Sequence, residues 1–96
     1  MRAAVVRYDL HVPQSRSLKA KRAAIKPLLE GARHRFAVSI AEVGYQERAQ
    51  RSEIAFAAVA SSSRQLDALL DSVDRFVWSH PEVEVLESER SELPHE

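Results

Sequence analysis

Four basic side chains at helical spacing are the first residues in this chain with a chemistry to offer. With Leu18 set to zero and about 100° per residue, Arg22, Arg33, Lys26 and Lys19 fall near 40°, 60°, 80° and 100°. They form a row along the border of an apolar stripe of Leu18, Ile25, Leu28, Leu29, Ala32 and Phe36. Arg16 stands just ahead of the row, and Arg48 and Arg51 lie in a later polar stretch, residues 44–52. Flexible ammonium groups and forked guanidinium groups in such a row serve successive phosphates. The same row also reads as a solvated helix face, with Glu30 alongside. The candidates for nucleic-acid contact are Arg16, Lys19, Arg22, Lys26, Arg33, Arg48 and Arg51.

Lys21 is a separate case. Its angle, near 300° on the same scale, falls inside the apolar stripe between Leu28 and Ala32. A lysine there must snorkel or meet a carboxylate. Glu42 on the following strand is the expected partner, and a structural ion pair is the expected role.

Catalytic chemistry finds little support. Two glycines leave no room for a phosphate-cradling loop. His11, His34, His80 and His95 are scattered without ligand spacing, so no metal site is expected. Ser61-Ser62-Ser63 has no base nearby and reads as a helix cap. Asp9 and His11 share one face of a strand, where a strand-end hydrogen bond is expected rather than acid–base work. No catalytic residue and no cofactor are assigned.

The elements that must position these groups follow from periodicity. Ala3 to Val12 alternates as a strand, stopped by Pro13. Ser17 is a good N-cap for a helix reaching about Arg35, although Pro27 within it implies a kink or a split into two helices. Ala37 to Val43 and Glu53 to Ala60 alternate as a second and third strand, joined by the long polar loop. Ser62 with Gln65 resembles a capping box opening a second helix that carries Leu66, Leu69, Leu70, Val73 and Val77 and stops at His80-Pro81. Trp78 lies off that apolar face and is expected over a neighbouring loop or the chain end. Val83 to Arg90 has the pattern of a charged edge strand. The order β-α-β-β-α-β is the split βαβ, ferredoxin-like arrangement: an α+β fold with a four-stranded antiparallel sheet and two helices on one face. A single domain over residues 1–90 and a frayed tail over 91–96 are expected.

If Val6, Tyr8, Val38, Ile40, Ile54 and Phe56 face the helices, the opposite face shows Val5, Ala37, Ser39, Ala41, Ala55, Ala57 and Val59. These side chains are small and mostly apolar, a flat platform suited to a second copy. The platform lacks the aromatic residues on which an RNA recognition motif stacks bases.

Charge is segregated along the chain. Residues 1–35 hold nine Lys/Arg against two acids, a net of +7, and residues 36–96 hold five against twelve, a net of −7. The chain as a whole is neutral, so any attraction for a polyanion must be local. The absence of cysteine and of any long apolar segment fits a cytoplasmic chain with no membrane contact.

Several segments carry a family resemblance: His11-Val12-Pro13, Ser17-Leu18-Lys19-Ala20-Lys21-Arg22, residues 35–43, Gln50-Arg51-Ser52-Glu53-Ile54, and Ser79-His80-Pro81-Glu82-Val83-Glu84. Together they resemble the YlxP-like family of small bacterial proteins of unknown function, in order and spacing over nearly the whole chain. The resemblance implies a ferredoxin-like fold. It also implies a gene placed beside those of translation and ribosome maturation, such as ribosome-binding factor A. It implies no activity. The chain departs from the family pattern at Ala49, where tryptophan is common, and at Ala37, where asparagine is usual. The functional expectation is a non-enzymatic module binding RNA or a ribosomal particle through the first helix. The alternative is a homodimeric protein-interaction module using the flat sheet face.

Overall fold

The computed structural model describes residues 1–93. In chain order the elements are β1 (Arg2–His11), α1 (Leu18–Arg35), β2 (Ser39–Gly44), β3 (Arg51–Ala60), α2 (Ser63–Trp78) and β4 (Glu84–Glu92). The strands form one antiparallel sheet in the order β2-β3-β1-β4. This is the ferredoxin-like βαββαβ arrangement, with β1 and β3 central and β2 and β4 at the edges.

Alternation sorts each central strand into two faces. Ala4, Val6, Tyr8 and Leu10 of β1, with Ile54, Phe56 and Ala58 of β3, are buried under Ile25, Leu28 and Ala32 of α1 and Leu66, Leu70, Val73 and Val77 of α2. The Tyr8 and Phe56 rings stack at 6.2 Å inside this layer. The Tyr8 hydroxyl donates to Asp74 at 2.8 Å, and burial, reinforced by that carboxylate, pushes its pKa well up.

α1 is one continuous helix through Pro27. Pro27 and Ala23, whose carbonyl loses its usual partner, are both exposed, so the break in the hydrogen-bond ladder falls on the solvent side of the helix. Ser17 caps the helix by accepting the Ala20 N–H at 3.0 Å. In α2, Ser62 accepts the Gln65 N–H at 3.2 Å. The reciprocal half of a capping box is not made, because the Gln65 side chain turns to Ser61 instead.

Several strand boundaries differ from the periodicity, and β3 starts at Arg51 rather than Glu53 because Arg51 and Ser52 pair with His11 and Leu10 of the long β1. β2 starts at Ser39 rather than Ala37, because the Val38 N–H is spent locally on the Phe36 carbonyl at 2.9 Å and the chain bends out of the ladder. β4 runs on through Ser91 and Glu92, which pair with Val5 and Ala4, and the Leu93 N–H donates to the Ala3 carbonyl at 3.0 Å. The start of the expected frayed tail is therefore strand, held by the long β1; residues 94–96 lie outside the described residues. No helix among the described residues is long and apolar enough to cross a membrane.

Gly31 is required by the approach of the two helices. A Cβ there would meet Phe76 Cζ at 2.6 Å. That ring cannot easily retreat, being packed edge-on against Phe36 at 5.7 Å and His80 at 4.7 Å, with the Arg35 guanidinium over it at 5.1 Å. Gly31→Ala gains about 1 kcal/mol of helix propensity and meets about 1–3 kcal/mol of overpacking. The expected result is a net loss of up to about 2 kcal/mol, read by urea denaturation; a gain in stability would show that the helices separate freely.

Candidate functional site

Lys21 is fully buried, 0% exposed, at the point where α1 meets the end of β2. Its Nζ lies 2.9 Å from Glu42 Oε2 and donates to the carbonyls of Tyr45 at 2.7 Å, Arg51 at 3.1 Å and, more distantly, Gln46 at 3.4 Å. Ser52, also buried, donates to the same Glu42 oxygen at 2.8 Å. The Lys21 ammonium and the Glu42 oxygen facing it are both hydrogen-bonded, which is what a charge cut off from water demands. The knot ties the β2–β3 loop to the N-terminal half of α1. Gln50 adds a second tie: its carbonyl accepts the Val12 N–H at 2.8 Å and its side chain reaches the Ser15 carbonyl at 3.2 Å. The loops before α1 and after β2 therefore lie side by side.

The basic row runs along α1 beside this junction. Arg16, Lys19, Arg22, Lys26 and Arg33 are all exposed. From Lys19 to Arg33 the helix rises about 21 Å. Arg22, Lys26 and Arg33 line one side of a groove of about 250 Å³, with Ile25 and Leu29 also lining it and Glu42 of β2 opposite. Arg33 leans across to the Ile40 carbonyl at 2.6 Å, which points outward from the edge strand. The groove is smaller than clefts that enclose drug-sized ligands, about 300–1,000 Å³.

Carboxylates leave the row almost untouched. Among the described residues, Lys26 has Glu30 at 4.0 Å, and no carboxylate lies within ion-pair reach of Arg16, Lys19, Arg22 or Arg48. Arg48 is exposed on the tied loop, at the same end as Arg16. Arg51 stands apart from the other candidates. It lies on the far face of the sheet and is committed to Asp9 at 2.7 and 2.8 Å, with its guanidinium 4.4 Å above the Tyr45 ring. The hydrogen bonds it donates to Asp9 raise its pKa above the ordinary arginine value.

The open sheet face is only partly the expected apolar platform. Val5, Ala57 and Ser39 stand in one register row, with Ala55 beside Ala41 and Val59 beside Ala3. Val5 is 39% and Val59 66% exposed. Ala37 is exposed too, but lies before β2 begins. The other half of the face is an ionic network. Arg7 meets Glu53 at 3.0 Å, Glu87 at 3.4 Å and Glu89 at 3.5 Å, and His11 meets Glu84 rather than Asp9, at 2.7 Å. Periodicity misses this network because β4, in sequence a run of glutamates, lands beside Arg7 only through its register with β1. Trp78 is 59% exposed rather than covered. No cluster of three or more potential metal ligands occurs among the described residues.

Fold and site together define a small ferredoxin-like α+β module with a basic helix face and a loop locked by a buried ion pair. The chain belongs to the family described as Protein of unknown function (DUF503), whose model matches residues 3–90. It is 46% identical over 68 residues to the uncharacterized protein YlxP of Bacillus subtilis, covering 71% of this chain and 74% of that one. Among solved structures it resembles the de novo designed protein Foldit4, with TM-score 0.54 and 14% identity over 95% of this chain and 97% of that chain. It also resembles a dimeric ferredoxin-like protein from an uncultured marine organism, with TM-score 0.51 and 10% identity over 100% of this chain and 99% of that one. At those identities the structural likenesses speak to fold alone.

Lys21→Met leaves the partly buried Glu42 without its counter-charge and deprives the Tyr45 and Arg51 carbonyls of their donor. The expected loss is about 3–5 kcal/mol in denaturant unfolding. In the double variant Lys21→Met with Glu42→Leu, the stranded carboxylate is gone but the carbonyls still lack a donor. That variant should recover only part of the loss; full recovery would show that the knot is a simple ion pair.

Proposed function

We propose that this protein is a non-enzymatic binding module that engages RNA, in the setting of a ribosomal particle, through the exposed row on α1. The observation that carries the reading is a basic row that the carboxylates of the fold leave largely uncompensated. Lys19 and Arg22 stand near the positive end of the α1 dipole, and the first turn holds no acid. Cations there cost a helix about 0.3–1 kcal/mol each at low ionic strength. The chain has acids to spare, yet Glu53, Glu87 and Glu89 surround Arg7, and Asp67 and Glu92 serve Arg90. A row whose N-terminal members stand against the dipole, and which has Glu30 as its one carboxylate among the described residues, suits an external polyanion. The family resemblance, with its gene context in ribosome maturation, supplies the ribosomal setting.

Binding of this kind is dominated by phosphates, so it depends on salt and reads sequence weakly. Ribosomal RNA titrated between about 50 and 200 mM salt should show affinity falling steeply, with a log–log slope of about −0.7 for each phosphate neutralised on single strands. Replacing Lys19, Arg22 and Lys26 together by Glu should abolish most binding. Replacing the same three by Gln should flatten the slope by about 2. Unchanged affinity in both variants would overturn the reading.

A second reading uses the opposite face. The apolar half of the open sheet, with Val5 and Val59 exposed beside Ala57, is made of small apolar side chains that can pack against a second copy in a two-fold dimer. The marine ferredoxin-like protein is described as dimeric; for this chain the support is the face itself. Light scattering on the eluting protein is expected to give twice the chain mass, and Ala57→Asp to give the monomer. A monomer at every concentration for the unaltered protein would end this second reading.

A further inference from the structure

The β2–β3 loop holds Tyr45 with φ 56°, the one non-glycine residue of positive φ among the described residues. Tyrosine is poorly suited to the left-handed region, and such residues persist where the surroundings over-determine them, often at binding sites. Here the surroundings converge on one carbonyl: Tyr45 O accepts Lys21 Nζ at 2.7 Å and the Arg48 N–H at 3.0 Å. The ring is held as firmly, under an Arg51 guanidinium that is itself pinned by Asp9. Despite these restraints Tyr45 remains 39% exposed. The fold thus maintains an aromatic ring at the surface in a backbone conformation that glycine would adopt without strain.

We infer that Tyr45 is a stacking platform for an unpaired base, which makes the ligand of the α1 row a single-stranded RNA; the inference rests on the RNA-binding reading above. Aromatic faces stack any base, and a guanidinium against the ring adds a cation–π layer beneath it. Lys21 joins the loop to α1, but the Tyr45 ring lies with Arg51 on the far face of the sheet, so a strand following the basic row toward the helix N-terminus reaches the ring by crossing the β2 edge. Gln46 marks the path, its side chain donating to the outward Glu42 carbonyl at 3.3 Å beside the groove. Among the Phe, Tyr and Trp side chains of the described residues, the two that are exposed are Tyr45 and Trp78, and Trp78 closes α2, far along the chain from the loop tied to α1. A paired base has no face to offer Tyr45, so a duplex would gain from the row alone.

The test is fluorescence anisotropy with a labelled oligoadenylate and a labelled RNA duplex of equal length, at low salt and over a salt series. Tyr45→Ala should weaken oligoadenylate binding by about 5- to 100-fold, leave the salt slope unchanged and leave duplex binding unchanged. Tyr45→Trp should retain or tighten oligoadenylate binding. Tyr45→Gly removes the ring while relaxing the backbone, so a folded Tyr45→Gly protein with the same loss excludes a collapsed loop as its cause. If Tyr45→Ala and Tyr45→Gly bind oligoadenylate like the unaltered protein while the α1 charge variant does not, the stacking inference falls and the RNA reading stands. An equal loss on both RNAs would also overturn stacking. If the unaltered protein binds neither RNA at low salt, both fall together.

Discussion

A lysine with no access to water organises one end of this protein. Lys21 can be buried only because Glu42 and the carbonyls of the following loop supply acceptors for its ammonium, and they come from three places in the chain. Satisfying it forces α1, the end of β2 and the start of β3 into one arrangement. The loop between those strands could otherwise sample many shapes, as long polar connections do. Here it is pinned at Tyr45, Arg51 and Gln50 and becomes a fixed feature of the surface. The cost of burying a charge is met by hydrogen bonds, and what is gained is a defined loop beside a basic helix.

The two faces of the molecule spend their charges differently. On the open sheet face acids outnumber cations: three carboxylates surround Arg7, and Asp9 holds Arg51. On the helix face, the row from Arg16 to Arg33 is left largely uncompensated, and Arg33 alone of the five donates to protein backbone, at Ile40. The net neutrality of the chain therefore hides a dipolar surface. A neutral protein has little long-range pull on a polyanion, but a local basic face gains its affinity at contact, by releasing counterions from the phosphates. The apolar patch around Val5 and Ala57 lies on the other side of the sheet, so a second copy there would leave the basic row clear.

Much of the fold was legible before any coordinates. Alternation in Ala4, Val6, Tyr8 and Leu10 and helical spacing in Leu66, Leu70, Val73 and Val77 mark their own burial, because each pattern has one face that water must lose. The candidate site was legible in part. The angle of Lys21 within the apolar stripe shows that it needs a partner, and Glu42 was within reach as a strand neighbour. The row on α1 is a property of one helix and so of local spacing. The commitment of Arg51 to Asp9, the encirclement of Arg7 and the strained Tyr45 were not legible. Each depends on register or on atoms far apart in sequence.

By itself, the sequence determined the six elements, their order, the two layers and the basic row, all of which follow from periodicities within single segments. Only the tertiary structure decided which charges are spent and which are free, since ion pairs such as Arg7 with Glu87 span most of the chain and exist only in one register. It also decided that a polar loop becomes a rigid one. The backbone carbonyls that hold Lys21 carry no residue-type signal, because every residue has a carbonyl and only the folded chain aims these at one ammonium.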